Sequence, residues 1–148
     1  LFIGLGLLTP EDEEKPTMNH NNSKKFECQF TAVTVNNSPA IMLKKLVGTT
    51  LGIWAAHGEG KFVFPYKESE YSIPAKYHYS SYPANPNGSQ YNAAMLTSKD
   101  GRHLVMMPHL ERSTFPWNWA YYPSDHNDEV SPWMLAFESA FSWLSNKQ

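Results

Sequence analysis

The chain is expected to fold as an α/β domain, on three observations. Short runs rich in apolar and β-branched residues, at 26–35, 51–56 and 104–107, read as strands. Turn formers punctuate them, most densely at Asn85-Pro86-Asn87-Gly88-Ser89. Near the carboxyl end, Ser131 and Pro132 suit a helix N-cap and first turn, ahead of an apolar stripe of Trp133, Met134, Phe137, Ala140, Phe141 and Leu144. The 148 residues match one domain, and 14% aromatic residues supply large side chains for its core.

Taken in order, Leu1–Leu8 is apolar throughout and reads as a buried helix already under way at the first residue. It is too short for a membrane span, which takes about 20 residues, and it lacks the basic start of a signal peptide. The polar stretch Glu11–Ser23, which contains Pro16, reads as a surface loop. Phe26–Val35 follows as a strand with Phe30, Ala32 and Val35 on its apolar side. Ile41–Leu46 is a short helical turn closed by Gly48, and Leu51–Ala56 is a buried strand leading into His57-Gly58-Glu59-Gly60. Lys61–Phe64 continues extended until Pro65, and Tyr71–Tyr79 is a further strand with its rings mostly on one side. Ala93–Ser98 and Arg102–Met107 flank Lys99-Asp100-Gly101 as a hairpin with Gly101 left-handed. Beyond them comes a loop dense in rings: Phe115, Trp117, Trp119, Tyr121 and Tyr122. That density exceeds what an exposed loop of one small domain requires and suits a partner surface.

Charge narrows the function. Twelve Lys and Arg against fourteen Asp and Glu give −2 with no dense basic run, which argues against nucleic acid or an anionic membrane as partner. The one cysteine, Cys28, excludes an internal disulfide and suits a reducing compartment, so a cytoplasmic location is expected.

Leu104–Met107 reads as a buried strand in the middle of the sheet, and Pro108, lacking an N–H, should end its ladder. His109 and Glu111 come next, two positions apart. Extended spacing puts both side chains on one face beyond a strand's carboxyl end, where ligands bind in open α/β sheets. An imidazole oriented by a carboxylate is two-thirds of a nucleophilic triad. The same residues also suit a structural histidine near a strand end. His57, Gly58, Glu59 and Gly60 suit either a tight turn or a loop lining a site. Asn85, Asn87, Gly88 and Ser89 suit a plain turn or a second site loop. Cys28 suits a small buried apolar position.

In the order HGEG, NPNGS, Asp100-Gly101-Arg102 and Met106-Met107-Pro108-His109-x-Glu111, these stretches resemble the class I (triad) glutamine amidotransferases. The pattern Asn21-x-Ser23-x-x-Phe26 and the position of Cys28 strengthen the likeness, which runs from residue 1 to the final helix. HGEG with NPNGS is similar to the purine-pathway branch, the glutaminase domain of phosphoribosylformylglycinamidine synthases. The Phe115-Pro116-Trp117 and Ala120-Tyr121-Tyr122-Pro123 stretches resemble its long single-chain form.

The resemblance implies a flavodoxin-like fold, of which 1–148 would be the carboxyl-terminal portion. It implies glutamine hydrolysis by a cysteine thiolate, with His109 as base and acid and Glu111 orienting it. His57, Gly58, Glu59, Asn85, Asn87, Gly88 and Ser89 would belong to substrate-site loops. The ammonia would pass to a synthetase region of the same polypeptide, where ATP and Mg activate formylglycinamide ribonucleotide. No cofactor or metal is implied within residues 1–148.

One element of the pattern is missing. The family's nucleophile sits at a sharp turn resembling G-x-C-x-G-C-Q, and the sequence is expected to start just after it. Cys28, between Glu27 and Gln29, lacks the small neighbours of such an elbow. A cysteine hydrolase using Cys28, a metal hydrolase using His57, Glu59, His109 and Glu111, and a non-catalytic binding module are the alternatives.

Overall fold

The computed structural model describes residues 1–146. The described residues form seven strands and one α-helix: β1 (Thr17–His20), β2 (Glu27–Val35), β3 (Thr50–His57), β4 (Glu59–Val63), β5 (Ser72–Tyr77), β6 (Ala93–Thr97), β7 (Leu104–Met106) and α1 (Met134–Ser145). Five strands form one sheet in the order β3-β2-β5-β6-β7, every neighbouring pair antiparallel. β1 and β4 form a separate two-stranded ribbon. The α/β class is therefore borne out, with a curled antiparallel sheet supplying the β part.

Two apolar clusters hold the layers together. One collects Val33, Ile53, Ala75, Tyr77 and Met95 from the sheet, Leu43 and Leu46 from the 3-10 turn Ile41–Leu46, and Trp133 and Ala136 from the start of α1. The other joins Ile3 and Leu8 to Phe62, Phe64, Tyr71, Ile73, Ala93 and Leu96. Residues from β6 contribute to both clusters, and all five positions of that strand are buried.

Several elements depart from expectation for physical reasons. Leu1–Leu8 forms turns and not a regular helix: Leu5 N–H bonds Leu1 O at 2.9 Å and Gly6 N–H bonds Ile3 O at 2.9 Å. Gly6 then takes φ +71°, outside the helical region. Ile3 and Leu8 are buried while Leu1 and Leu5 face outward. The 11–23 stretch contains β1, whose polar residues suit an exposed ribbon and gave no apolar alternation to read.

In β2 the buried face is Thr31, Val33 and Val35, opposite in phase to the expected Phe30 and Ala32. Thr31 is admitted because its hydroxyl donates to Ala84 O at 2.7 Å. Phe30 covers the other face, edge-on to Trp54 at 5.2 Å and beside Trp119 at 5.6 Å. Gly52 makes room for that ring, since a Cβ there would collide with it.

The helix also turns differently. Its core-facing residues are Ala136 and Ser139, whereas Phe137, Phe141 and Leu144 are exposed. Small residues let α1 approach the Ile41–Leu46 turn; of the expected stripe Trp133 is buried just ahead of the helix, and Phe137, Phe141 and Leu144 are left outside. Ser131 does accept a hydrogen bond from Trp133 N–H at 3.3 Å, but the regular helix begins only at Met134. The 93–107 hairpin stands as expected, with Gly101 at φ +73°.

β7 lies at the sheet's edge, not its middle, and its residues are only half-buried. Past Pro108 the chain reaches the opposite edge strand, where His109 N–H bonds Trp54 O at 2.6 Å in an isolated antiparallel bridge. The sheet thus curls until its first and last strands approach, and His109 lies at the closing point.

Candidate active site

His109 is placed by its backbone before its side chain does anything. The bridge to Trp54 holds its N–H, and the buried Leu110 anchors the following 3-10 turn Leu110–Arg112. The Ser113 hydroxyl donates to His109 O at 3.3 Å and accepts from Trp54 N–H at 3.3 Å, tying turn to strand. Trp119 Nε1–H donates to Ser113 O at 2.7 Å, and Trp54 Nε1–H donates to Asn118 O at 2.5 Å. Part of the aromatic loop therefore braces this corner.

Within the turn, His109 Nδ1 lies 2.7 Å from Glu111 Oε1. An ionised carboxylate only accepts, so the neutral imidazole carries its proton on Nδ1 and leaves the Nε2 lone pair free. Nε2 sits 3.4 Å from Ala56 O. A proton taken up at Nε2 would therefore meet a carbonyl acceptor. His109 keeps 27% of its side-chain surface exposed and Glu111 62%, so reagents can reach the pair.

The HGEG stretch divides. His57 is half-buried at the end of β3, and burial, then the nearby His109, lowers its pKa below the ordinary imidazole value. Gly60 touches it closely: a Cβ there would lie 2.5 Å from Asn87 Nδ2 and 2.7 Å from His57 Nδ1. Glu59 points outward and pairs with His20 across the ribbon at 3.4 Å, with both side chains largely exposed. Gly58 uses its backbone, its carbonyl accepting from Asn21 N–H at 2.9 Å.

The NPNGS loop is built on buried amides. Asn85 Oδ1 accepts from Gly88 N–H at 3.0 Å and Ser89 N–H at 3.1 Å, closing the turn on its own side chain. Gly88 takes φ +72° with Asn22 packed where a Cβ would stand. Ser89 Oγ accepts from Phe62 N–H at 3.1 Å and donates to Gly60 O at 3.3 Å, stitching the loop to HGEG. Asn87, wholly buried, accepts from Tyr77 O–H at 2.6 Å and donates to Asn21 Oδ1 at 2.9 Å.

The structure therefore brings together His109, Glu111 and His57, with Asn87 behind His57. Asn85, Gly88 and Ser89 support that wall from the far side of Asn87, and Glu59 is turned away from it. Three participants had no signal in the sequence, Tyr77, Ala56 and Ser113, and Asn21 appeared there only as the first residue of the Asn21-x-Ser23-x-x-Phe26 pattern, with no contact implied. Ala56 acts through its backbone carbonyl, and the side chains of Asn21, Tyr77 and Ser113 act through partners that the fold brings to them, Asn87 for the first two and Trp54 N–H for Ser113, which no local pattern encodes.

Cys28 is an exposed residue within the β2 ladder, opposite Ala56 of β3, with no turn at the thiol. Its environment is unlike a nucleophile elbow. Among the described residues no three His, Cys, Asp or Glu side chains gather as a metal site, and no helix is long and apolar enough to cross a membrane.

Residues 1–144 match the family profile of the CobB/CobQ-like glutamine amidotransferase domain. The chain is 43% identical over 150 residues to a probable phosphoribosylformylglycinamidine synthase, chloroplastic/mitochondrial, of Arabidopsis thaliana, covering 91% of this chain and 11% of that protein. It is 38% identical to the phosphoribosylformylglycinamidine synthase of Homo sapiens, over 85% of this chain and 10% of that one. The chain thus spans about a tenth of the length of these curated relatives. Among solved structures, PurLQS from Thermotoga maritima matches with a TM-score of 0.71 at 24% identity, covering 97% of this chain and 57% of that chain.

Proposed function

The chain belongs to the CobB/CobQ-like glutamine amidotransferase domain family, and we propose that it serves as the glutaminase part of a phosphoribosylformylglycinamidine synthase. The observation that carries this reading is the 2.7 Å bond between His109 Nδ1 and Glu111, which puts the neutral ring's proton on Nδ1 and leaves Nε2, 3.4 Å from Ala56 O, as the nitrogen that takes up a proton. In the proposed reaction His109 Nε2 takes the proton of a cysteine thiol, and the thiolate attacks the side-chain amide carbon of glutamine. The C–S bond forms, the C–N bond breaks, and the departing nitrogen takes the proton back from Nε2 to leave as ammonia. Water activated at the same Nε2 then cleaves the thioester to glutamate. Glu111 holds the ring in one tautomer and faces the imidazolium when it forms.

The residues carry no G-x-C-x-G-C-Q elbow, and their one cysteine is Cys28. Glutamate release from glutamine by the 148-residue chain alone is accordingly expected to be absent. Ammonia would pass to a synthetase region that uses ATP and Mg; none of the residues described is assigned to either. Phe115, Trp117 and Tyr121, all exposed, with the first two rings stacked at 4.5 Å, suit docking against that region. A cytoplasmic or other reducing location fits the single cysteine.

The test is His109→Ala in the full-length protein. Glutamine-dependent synthesis should fall roughly a thousandfold while synthesis from free ammonia is retained. Equal loss with both nitrogen sources would overturn the assignment. So would glutamine turnover by the 148-residue chain that disappears on Cys28→Ser.

A further inference from the structure

His57 is fixed by a chain of hydrogen bonds whose directions can be deduced from one end to the other. Asn21 Nδ2 faces two carbonyls, Lys25 O at 2.9 Å and His57 O at 2.7 Å, and carbonyls only accept. The amide orientation of Asn21 is thereby set, and its Oδ1 must be an acceptor. Asn87 meets that oxygen at 2.9 Å, so the facing atom is the Asn87 nitrogen. Its other end, Oδ1, accepts from Tyr77 O–H at 2.6 Å, consistent with the same orientation. The Asn87 nitrogen also lies 2.7 Å from His57 Nδ1. Two donors cannot face each other there, so Nδ1 must be unprotonated. The neutral ring then carries its hydrogen on Nε2.

That Nε2 is sealed from solvent without a hydrogen-bond partner. A buried group left unpaired costs about 1–3 kcal/mol, and an exception of this kind calls for a reason. His57 follows Ala56 in the chain, whose carbonyl lies 3.4 Å from His109 Nε2.

We propose that Asn21 and Asn87 lock His57 as a neutral imidazole protonated at Nε2, so that His109 alone takes up the proton at this site. This rests on the base role given to His109 above. Without the lock, two adjacent imidazoles would titrate together, and a cation at His57 would oppose the imidazolium that the reaction needs at His109. The other titratable groups around His57 are Glu111 behind His109, Glu27 opposite it on β2, Lys25 in the preceding turn, and Tyr77 beyond Asn87, whose hydroxyl burial keeps protonated. Glu59, two residues on, is engaged by His20. Gly60 lets Asn87 close on the ring.

The experiment is a pH series of long-range proton–nitrogen spectra on the histidine-labelled chain. The expected result is an unprotonated Nδ1 and a protonated Nε2 at His57, with His109 titrating first as pH falls. A His57→Gln variant keeps an acceptor for Asn87 and removes the second imidazole. It should move the His109 midpoint by less than about 0.5 pH unit. A proton on His57 Nδ1, His57 titrating before His109, or a larger His109 shift in the variant would each overturn the proposal. If the variant chain does not fold, the same limit applies to the acid limb of kcat/KM against pH for His57→Gln in the full-length protein. Failure of the base role is read separately: His109→Ala would then spare glutamine-dependent synthesis, while the His57 tautomer stands or falls on its own spectrum.

Discussion

Asn87 and Glu111 each stand within three residues of a proline in a motif-like stretch, and as text they are equally suggestive. In space they are opposites. Asn87 is wholly buried, with Tyr77, Asn21 and His57 all bonded to its amide. Glu111 makes a bond to His109 and leaves 62% of its side chain in solvent. The first arrangement commits its polar atoms to the fold, since a buried amide must be satisfied. The second leaves polar capacity unused by the fold, and that capacity is what chemistry needs. Polar residues near turns are therefore sorted into scaffold and site by how many of their hydrogen bonds are already taken.

This contrast should appear most strongly in Asn87→Leu. It would strand the Tyr77 hydroxyl and the Asn21 oxygen in the interior, with an expected loss of roughly 4 kcal/mol of stability in urea unfolding. A loss below about 1 kcal/mol would show that water or rearrangement satisfies these groups. Gly60→Ala comes next. Its Cβ would press on Asn87 and His57, and about 2 kcal/mol of destabilisation is expected by the same measurement.

The third effect is a pH dependence. Because the folded His57 value lies below its unfolded value, the unfolded chain binds the proton first. The contribution is complete above the ordinary histidine range and is lost as pH falls through that range towards the folded value. Urea midpoints measured across this window should decline for the wild type and flatten for His57→Gln. Smallest of all, Glu111→Gln should change stability by no more than about 0.5 kcal/mol, because the Glu111 side chain is itself largely exposed. The same variant should lower glutamine-dependent turnover of the full-length protein roughly tenfold, less than loss of His109 itself. A large stability change with unaltered turnover would place Glu111 among the scaffold residues.

How legible these features were depended on distance along the chain. The 93–107 hairpin and its left-handed Gly101 were readable because turn chemistry is local. The His109–Glu111 pairing was readable from the two-residue spacing, although Leu110–Arg112 folds as a 3-10 turn and not as the extended segment from which the pairing was expected. The phase of β2 was not, because Thr31 enters the interior on a bond to Ala84, more than fifty positions away. Nor was the buried side of α1, where Phe137 and Phe141 look like the core and Ala136 and Ser139 occupy it. Periodicity reports that a helix has faces, but which face is covered depends on the shape of what packs there. Asn21 sat in a stretch that read as surface loop, and although it opens the Asn21-x-Ser23-x-x-Phe26 pattern, nothing local indicated that it is buried and its neighbour Asn22 exposed.

The closing of the curled sheet at His109 has a mechanical side. The bond to Glu111 spans two positions of one turn and moves with that turn as a unit. What fixes where the unit points is the backbone bridge to Trp54, backed by the Ser113 hydroxyl, a clasp fastening the two ends of the five-stranded sheet. Slack in the clasp would keep the pair assembled and mis-aim it, carrying Nε2 away from the Ala56 carbonyl. Aim is thus governed by the main chain and assembly by the side chains, and the amide proton of His109, through its exchange with solvent, registers the first of these independently of the second.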